Sequence, residues 1–589
     1  MKHESQWSAF FICVGVAVLA FLVSVSSAAA QSNDGQNGQN NNGRGDDDNG
    51  GFAVKQGPGT NTGNCPAPPP PTDKVIFPKV YCPYPPGIIP SDLTTESERV
   101  RREIRGIEQQ AMAQAAALGP LMPTSPNQVL AGNGVQAVQI LGKLENYDEN
   151  LSVFKNVACA FCHMPYAGFS GPIPSVNETT VAYPGSFHYR FGKRKPQSYD
   201  YSPYYPPLQY NLTQANFYGG NFWDLRATGY KLRSPDAEQS QNPPLDPQEM
   251  GNADFGCVVF RLSQAKYRPL FEGIWGNQSF DIKWPENTER VCRTPAGAFG
   301  SDPTPLHLSP KDRGTASSTF NSYADSISAY EQGPEVSPFS SKFDAFLAGS
   351  TTLTADEMAG YNLFRGKGNC NSCHLDGRST APSTQLAPNG VDTGAAADVQ
   401  PLFTDTTSSN LGLPKPFPYD PIYYQSKPDS FGFIPNPAGV DFKDLGVGLF
   451  LRSESGVNPN SAWTQFAPQF DGFMQVATAR DVGLRPASPN FVKAYMHNGY
   501  LKSLKEVVHF YNTRDRMDFA HPAQIGGCPP GFIEKVNCWP QPEVPSTKDM
   551  TVGNLGLTDH EEDLIVLFLE TLTDGFTTPF PNFNTYTGP

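Results

Sequence analysis

Apolar residues recur at a helical period in a few separated stretches, with long polar or proline-rich stretches between them. The first apolar run, Phe10 to Val25, follows Lys2 and His3 and precedes Ala28-Ala29-Ala30. This pattern predicts a secretory leader over 1–30. The run is too short to predict a membrane span, and no later segment is longer and as apolar. Residues 31–64 are Asn, Gly, Asp and Gln with too few apolar groups for a core, and 65–90 are proline-rich, so 31–90 reads as a disordered and extended head. Ser91-Asp92 caps a helical pattern from Thr95 to Leu118, which Gly119-Pro120 stops. Helical periods return at 138–144, 257–271, 324–330 and 342–347, whereas 165–222 reads as loops and 276–320 as an irregular insertion. A second unit opens at the capping box Thr354-Ala-Asp-Glu357, ahead of Met358, Tyr361, Leu363 and Phe364. A long loop, 377–470, and helices at 504–511 and 559–572 complete it. No alternating strand pattern stands out, so the expected fold is mainly α, in two units over 91–350 and 351–580.

Chemistry enters through one motif that occurs twice. Cys159-Ala-Phe-Cys162-His163 and Cys370-Asn-Ser-Cys373-His374 both read C-x-x-C-H, the attachment signature of a c-type haem. Two thiols add to the porphyrin vinyl groups, and the adjacent histidine is placed to ligate the iron. A single copy could be a stray redox pair or half of a zinc site. Two copies behind an export signal predict two covalently bound haem c groups, each in a cytochrome-c-like unit that begins with a helix before its cysteines.

The remaining cysteines agree with an oxidising compartment. Of eleven, Cys13 lies in the leader and four belong to the haem motifs. The other six fall in local pairs, Cys65 with Cys82, Cys257 with Cys292 and Cys528 with Cys538, which suggests three disulfides. Proximity alone selects this pairing, since six cysteines allow fifteen connectivities. The formal charge of −14 disfavours a nucleic-acid or anionic-membrane partner and allows steering of a basic redox partner. Proline and glycine together approach a fifth of the chain and aromatics reach 12%, as expected of ordered loops around haems.

An ordered set of motifs over roughly 135–575 resembles the di-haem cytochrome c peroxidase/MauG family. Leu141-Gly-Lys143 through Asp148 to Leu151-Ser152 leads into the first haem motif, followed by Phe222-Trp223-Asp224-Leu-Arg226-Ala227 and by Gln239-x3-Pro243-x5-Glu249-Met250. The second half brings Ser341 to Asp344, Leu353 to Gly360, Leu363-Phe364, Phe403-Thr-Asp405 to Gly412, Tyr495-Met-His497-Asn-Gly499 and Leu557 to Leu569. The resemblance implies that His163 and His374 are proximal ligands and that the first haem is the peroxide site, with Gln239, Pro243 and Glu249 on its distal side. Glu249 would be the acid–base group, Gln239 would orient peroxide, and Trp223 would relay electrons between the haems. Classical members place a methionine ligand of the second haem fourteen residues after the histidine of Tyr-x-His-x-Gly. Here that offset from His497 reaches Tyr511, as in MauG-type members, with Met517 as the rival ligand. His188, allowing a one-residue gap, matches the histidine that caps the peroxide site of resting classical members, which makes it a candidate removable ligand.

Two departures bear on the family's other features. The calcium ion that the family often holds between its haems is doubtful here. Lys195 stands where a ligating Asn is expected and Ala494 replaces a proline, and a charged lysine cannot ligate calcium. Gly368 stands where MauG has a tryptophan used as an exit for holes. The expected function is an exported peroxidase, periplasmic or at the cell surface, that reduces hydrogen peroxide with electrons from a small cytochrome c or cupredoxin. A MauG-like oxidase acting on a partner protein, and a non-catalytic electron-transfer protein, are the alternatives. The resemblance also admits a homodimer.

Overall fold

The computed structural model describes residues 83–85, 87–119, 133–212, 214–300, 302–377, 401–453 and 460–577. The leader, most of the head and the Cys65–Cys82 pair lie outside the described residues. The helices are α1 Leu93–Ala117, α2 Asn133–Asn146, α3 Pro174–Glu178, α4 Pro235–Ser240, α5 Phe255–Leu262, α6 Arg268–Trp275, α7 Thr288–Cys292, α8 Pro310–Glu331, α9 Lys342–Leu347, α10 Ala355–Arg365, α11 Val447–Arg452, α12 Leu504–Thr513 and α13 Asp559–Glu570. Strand is confined among the described residues to two small antiparallel pairs, 209–211 with 216–218 and 408–409 with 474–475. The fold is helix-rich with little sheet, as expected.

Local signals explain most helix ends. Ser341, Thr354 and Thr558 each close a capping box, so both terminal donors of α9, α10 and α13 are satisfied by side chains. The expected helical stretch 257–271 divides into α5 and α6, because Pro269 at the second position of α6 starts a new helix. The expected irregular insertion ends early. α8 begins at Pro310, capped by Ser309, and runs 22 residues through a Ser- and Thr-rich sequence whose buried face is Ala316, Thr319, Phe320, Tyr323 and Ala324. The 377–470 loop contains α11 and a 3₁₀ segment, Ser461–Phe470.

The buried apolar side chains gather in two main clusters. One runs from Tyr84 to Val336 and the other from Phe343 to Leu572. Each is built around a crossing of two helices at a glycine. A Cβ on Gly142 of α2 would lie 1.9 Å from Ser326 O of α8, and one on Gly360 of α10 would lie 1.9 Å from Leu564 O of α13. Only glycine permits backbones this close. α2 and α10 each lead to a C-x-x-C-H motif, so the same crossing recurs ahead of both. A third cluster packs Leu208, Phe217 and Leu225 against Val447, Phe450 and Trp463. Two disulfides close as expected, Cys257–Cys292 and Cys528–Cys538. No helix among the described residues is long and apolar enough to cross a membrane.

Candidate active site

Each C-x-x-C-H motif forms a single 3₁₀ turn, Cys159–Phe161 and Cys370–Ser372, and all four thiols are free of disulfides. The two histidines share one arrangement. His163 Nδ1 bonds to Phe169 O at 3.0 Å and His374 Nδ1 to Phe403 O at 2.8 Å. A carbonyl accepts only from N–H, so the proton is on Nδ1 and the lone pair of Nε2 is left for a metal. Burial holds both rings neutral, lowering His163 to about 4 and His374 below its ordinary value. Neutral imidazole with two free thiols beside it is the donor set that covalent haem requires, so the residues present fit the cofactor.

A cavity of about 330 Å³ opens at Cys159, Cys162 and His163. Gln239, Pro243 and Glu249 line it, so the structure brings together the three side chains that the family resemblance assigns to one site. Ser234 caps α4 by accepting from Ala237 N, and the helix carries Gln239 at its end. Beyond it the chain turns back. Glu249 N donates to Asp246 O at 3.1 Å and Met250 N to Pro243 O at 3.1 Å. Val153 N and Ser186 N then donate to Met250 O and Glu249 O, fastening this turn to the loops around the first motif. Burial, reinforced by the nearby Asp246, pushes the Glu249 carboxyl up to about 8, against the opposing pull of Arg226 and Lys193.

A second cavity, of about 250 Å³, opens at Cys370, Cys373 and His374, and Tyr511 of α12 lines it. Burial first, then the nearby Cys373 and Cys370, raise the Tyr511 phenol above its ordinary value. The rival Met517 is fully exposed beyond the end of α12 and lines neither cavity.

Trp223 lines both cavities. Its Nε1 donates to Lys195 O at 3.0 Å, and its carbonyl accepts from Gln475 N at 2.8 Å. The flanking Phe222 and Leu225 have φ of 69° and 62°, a strained geometry for side-chain-bearing residues. Ion pairs hold this turn, since Arg194 bonds both Asp224 and Asp444 while Arg226 bonds Asp224 and lies over the Phe222 ring.

The structure does not bring His188 to this site. It lies outside the linings of both cavities, buried beneath α1, where its Nε2 accepts from Arg101 at 2.8 Å. The matching position in the sequence is occupied by a histidine whose candidate ligand atom is already used by a guanidinium. Lys195, at the position of the expected calcium ligand, lines both cavities and donates its Nζ to Ser170 Oγ and Pro196 O. Sequence reading passed over Asp444 and Glu331, which line the first cavity from distant segments and carry no local motif.

Comparisons with known proteins point the same way. The sequence profile described as di-haem cytochrome c peroxidase matches residues 136–352. The methylamine utilization protein MauG of Paracoccus denitrificans (strain Pd 1222) is 26% identical over 467 residues, covering 79% of this chain and 95% of that protein. The cytochrome-c peroxidase IdrP1 of Denitromonas iodatirespirans is 24% identical over 468 residues, covering 79% and 89%. In fold, the chain is similar to the diheme peroxidase BthA from Burkholderia thailandensis E264, with a TM-score of 0.50 and 23% identity over 75% of this chain and 86% of that one. With two C-x-x-C-H turns, two neutral histidines and these relatives, the chain is similar to the di-haem cytochrome c peroxidase/MauG family, whose profile its residues 136–352 match.

Proposed function

We propose that the protein reduces hydrogen peroxide at the haem carried by Cys159, Cys162 and His163, with electrons relayed from the haem carried by Cys370, Cys373 and His374. The 91–350 and 351–580 segments are the corresponding domains. The observation that carries this reading is the asymmetry of the cavities. Gln239, Pro243 and Glu249 line the first, Tyr511 lines the second, and Trp223 lines both. Bound haem would supply the iron that accepts peroxide and the redox capacity that stores its oxidising equivalents.

The chain's own residues do the rest. Gln239 hydrogen-bonds peroxide and orients it, while Pro243 holds the turn without presenting a competing N–H at that position. Glu249 takes the proton from the near oxygen and gives it to the far one, so the far oxygen leaves as water. The Trp223 indole, fixed by its bond to Lys195 O, passes electrons across the gap between the cavities. With haem bound, Tyr511 would be the residue that holds the second iron, and its oxygen, ionised by the metal, would favour the more oxidised state. The same residue supports a second reading, in which the electrons come from side chains of a partner protein, as the likeness to MauG suggests.

The deciding experiment adds peroxide to the purified di-haem protein under optical and EPR observation, with and without a reduced small cytochrome or cupredoxin. Peroxidase activity predicts oxidation of both haems by one equivalent of peroxide and rapid return with the donor. Oxidation that persists until a protein substrate is added would favour the second reading. No spectral change on peroxide addition would discard both.

A further inference from the structure

A pair of buried acids, one of which (Glu331) lines the first cavity, has no part in the scheme above. Asp236, in the first turn of α4, and Glu331, the last residue of α8, are 1% and 2% exposed. Ser202 Oγ joins them, bonding Asp236 Oδ1 and lying 3.5 Å from Glu331 Oε2. Asn221 Nδ2 adds a bond to Asp236 Oδ1 at 3.4 Å. Neither acid forms an ion pair with a lysine or arginine among the described residues. Asp236 Oδ2 is buried without a hydrogen bond of its own, and the Asp236 carboxyl faces the side chains of Glu331 and Ser328 as well as Ser202.

Two carboxylates in contact, out of water and without a cation, cannot both carry charge. Their contact is a hydrogen bond only if one keeps its proton. Burial and the facing Asp236 push Glu331 well above the usual carboxylate range; burial also raises Asp236, but there the bonds from Glu331, Ser202 and Ser328 offset part of the rise. The proton therefore rests on Glu331. The other groups that feel its charge are the Tyr199 phenol and the Cys159 sulfur, neither of which is a cation. Glu331, Asn221 and Ser240 line the same cavity as Gln239 and Glu249, and Asp236 precedes Gln239 by one turn of α4.

We propose that Asp236 and Glu331 form a proton store for peroxide reduction at the first haem. This rests on the peroxide-reducing reading. Conversion of peroxide to two waters follows H₂O₂ + 2e⁻ + 2H⁺ → 2H₂O. The electrons come from the external donor through the two haems. Glu249 returns the proton it takes, so it supplies neither of the two consumed. The pair hands its shared proton to cavity water as the remaining oxygen is reduced, and a proton from solvent replaces it in the same step, so the two carboxylates never carry charge together; the second consumed proton enters from solvent.

The test uses the holoprotein and two readouts. Infrared spectra should contain the C=O band of a protonated buried carboxyl that shifts in D₂O and is lost in Glu331→Gln. In single turnovers with peroxide and reduced donor, Glu331→Gln should slow the return of the haems roughly tenfold more than it slows the first reaction with peroxide. That return should also become dependent on bulk proton concentration, which a merely structural role would not produce. If Glu331→Gln does not take up haem, Ser202→Ala removes the shared hydroxyl and should shift the same band and slow the same phase. A wild-type protein inert to peroxide would overturn the reading beneath this proposal. A reactive wild type matched by its variants in band, phase and pH profile would overturn the proton store alone.

Discussion

Glu249 carries the sharpest expectation for a single side chain. It is held near a pKa of about 8, so it is mostly neutral at pH 7, yet the first proton transfer requires the carboxylate. The sign follows directly. The rate of reaction with peroxide should climb as pH rises toward about 8 and then level off, because the ionised fraction grows over that window. Glu249→Gln should lower the rate on the order of a hundredfold and flatten the profile, as stopped-flow measurements across pH will report. Tyr511 predicts a potential instead of a rate. Replacing its oxygen donor by thioether in Tyr511→Met should raise the reduction potential of the second haem in a spectroelectrochemical titration. An unchanged potential would remove Tyr511 from the coordination sphere. These residues were legible because the motif encodes them at fixed spacing. Asp236 and Glu331 were not, because each looks like an ordinary helix-end acid until the fold brings α4 against the end of α8.

Among the elements, the two glycine crossings matter most. α10 packs on α13 with Gly360 against Leu564 O, and the same crossing delivers Cys370 to its cavity. A methyl at Gly360 has no space, and the atom it meets is backbone, so the helices must separate. Gly360→Ala should destabilise the second half by roughly 1–3 kcal/mol or more. Thermal unfolding of the holoprotein should show the drop, and haem content at the second site should fall with it. Gly314, exposed on α8 with open space at its Cβ, is the control: Gly314→Ala should be neutral or slightly stabilising, within about 1 kcal/mol. The helix before each haem motif was readable from its period, and α10 from its capping box. The first half of α8 was not, since Ser and Thr on its buried face blur the apolar repeat on which such readings depend.

Across the whole molecule, the two halves of the motif set predicted two cytochrome-like units, but not what joins their cavities. The sequence marked Trp223 through its neighbours, yet nothing local indicates that 447–452 and 461–470 pack beneath its turn, or that Asp444 reaches Arg194 from 250 positions away. That assembly fixes an indole in the lining of both cavities while two flanking residues hold strained backbone. Strain kept in place by ion pairs is economical only if the position of the side chain matters. Phenylalanine keeps most of the ring volume but is far harder to oxidise and cannot donate to Lys195 O. Trp223→Phe should therefore leave each haem's resting spectrum and the first reaction with peroxide in place, while slowing electron arrival from the second haem about tenfold or more, equivalent to at least about 1.4 kcal/mol of barrier. Freeze-quenched EPR after one equivalent of peroxide separates the outcomes. Oxidation confined to the first haem in the variant supports the relay, whereas oxidation reaching the second haem at the wild-type rate would reduce Trp223 to packing.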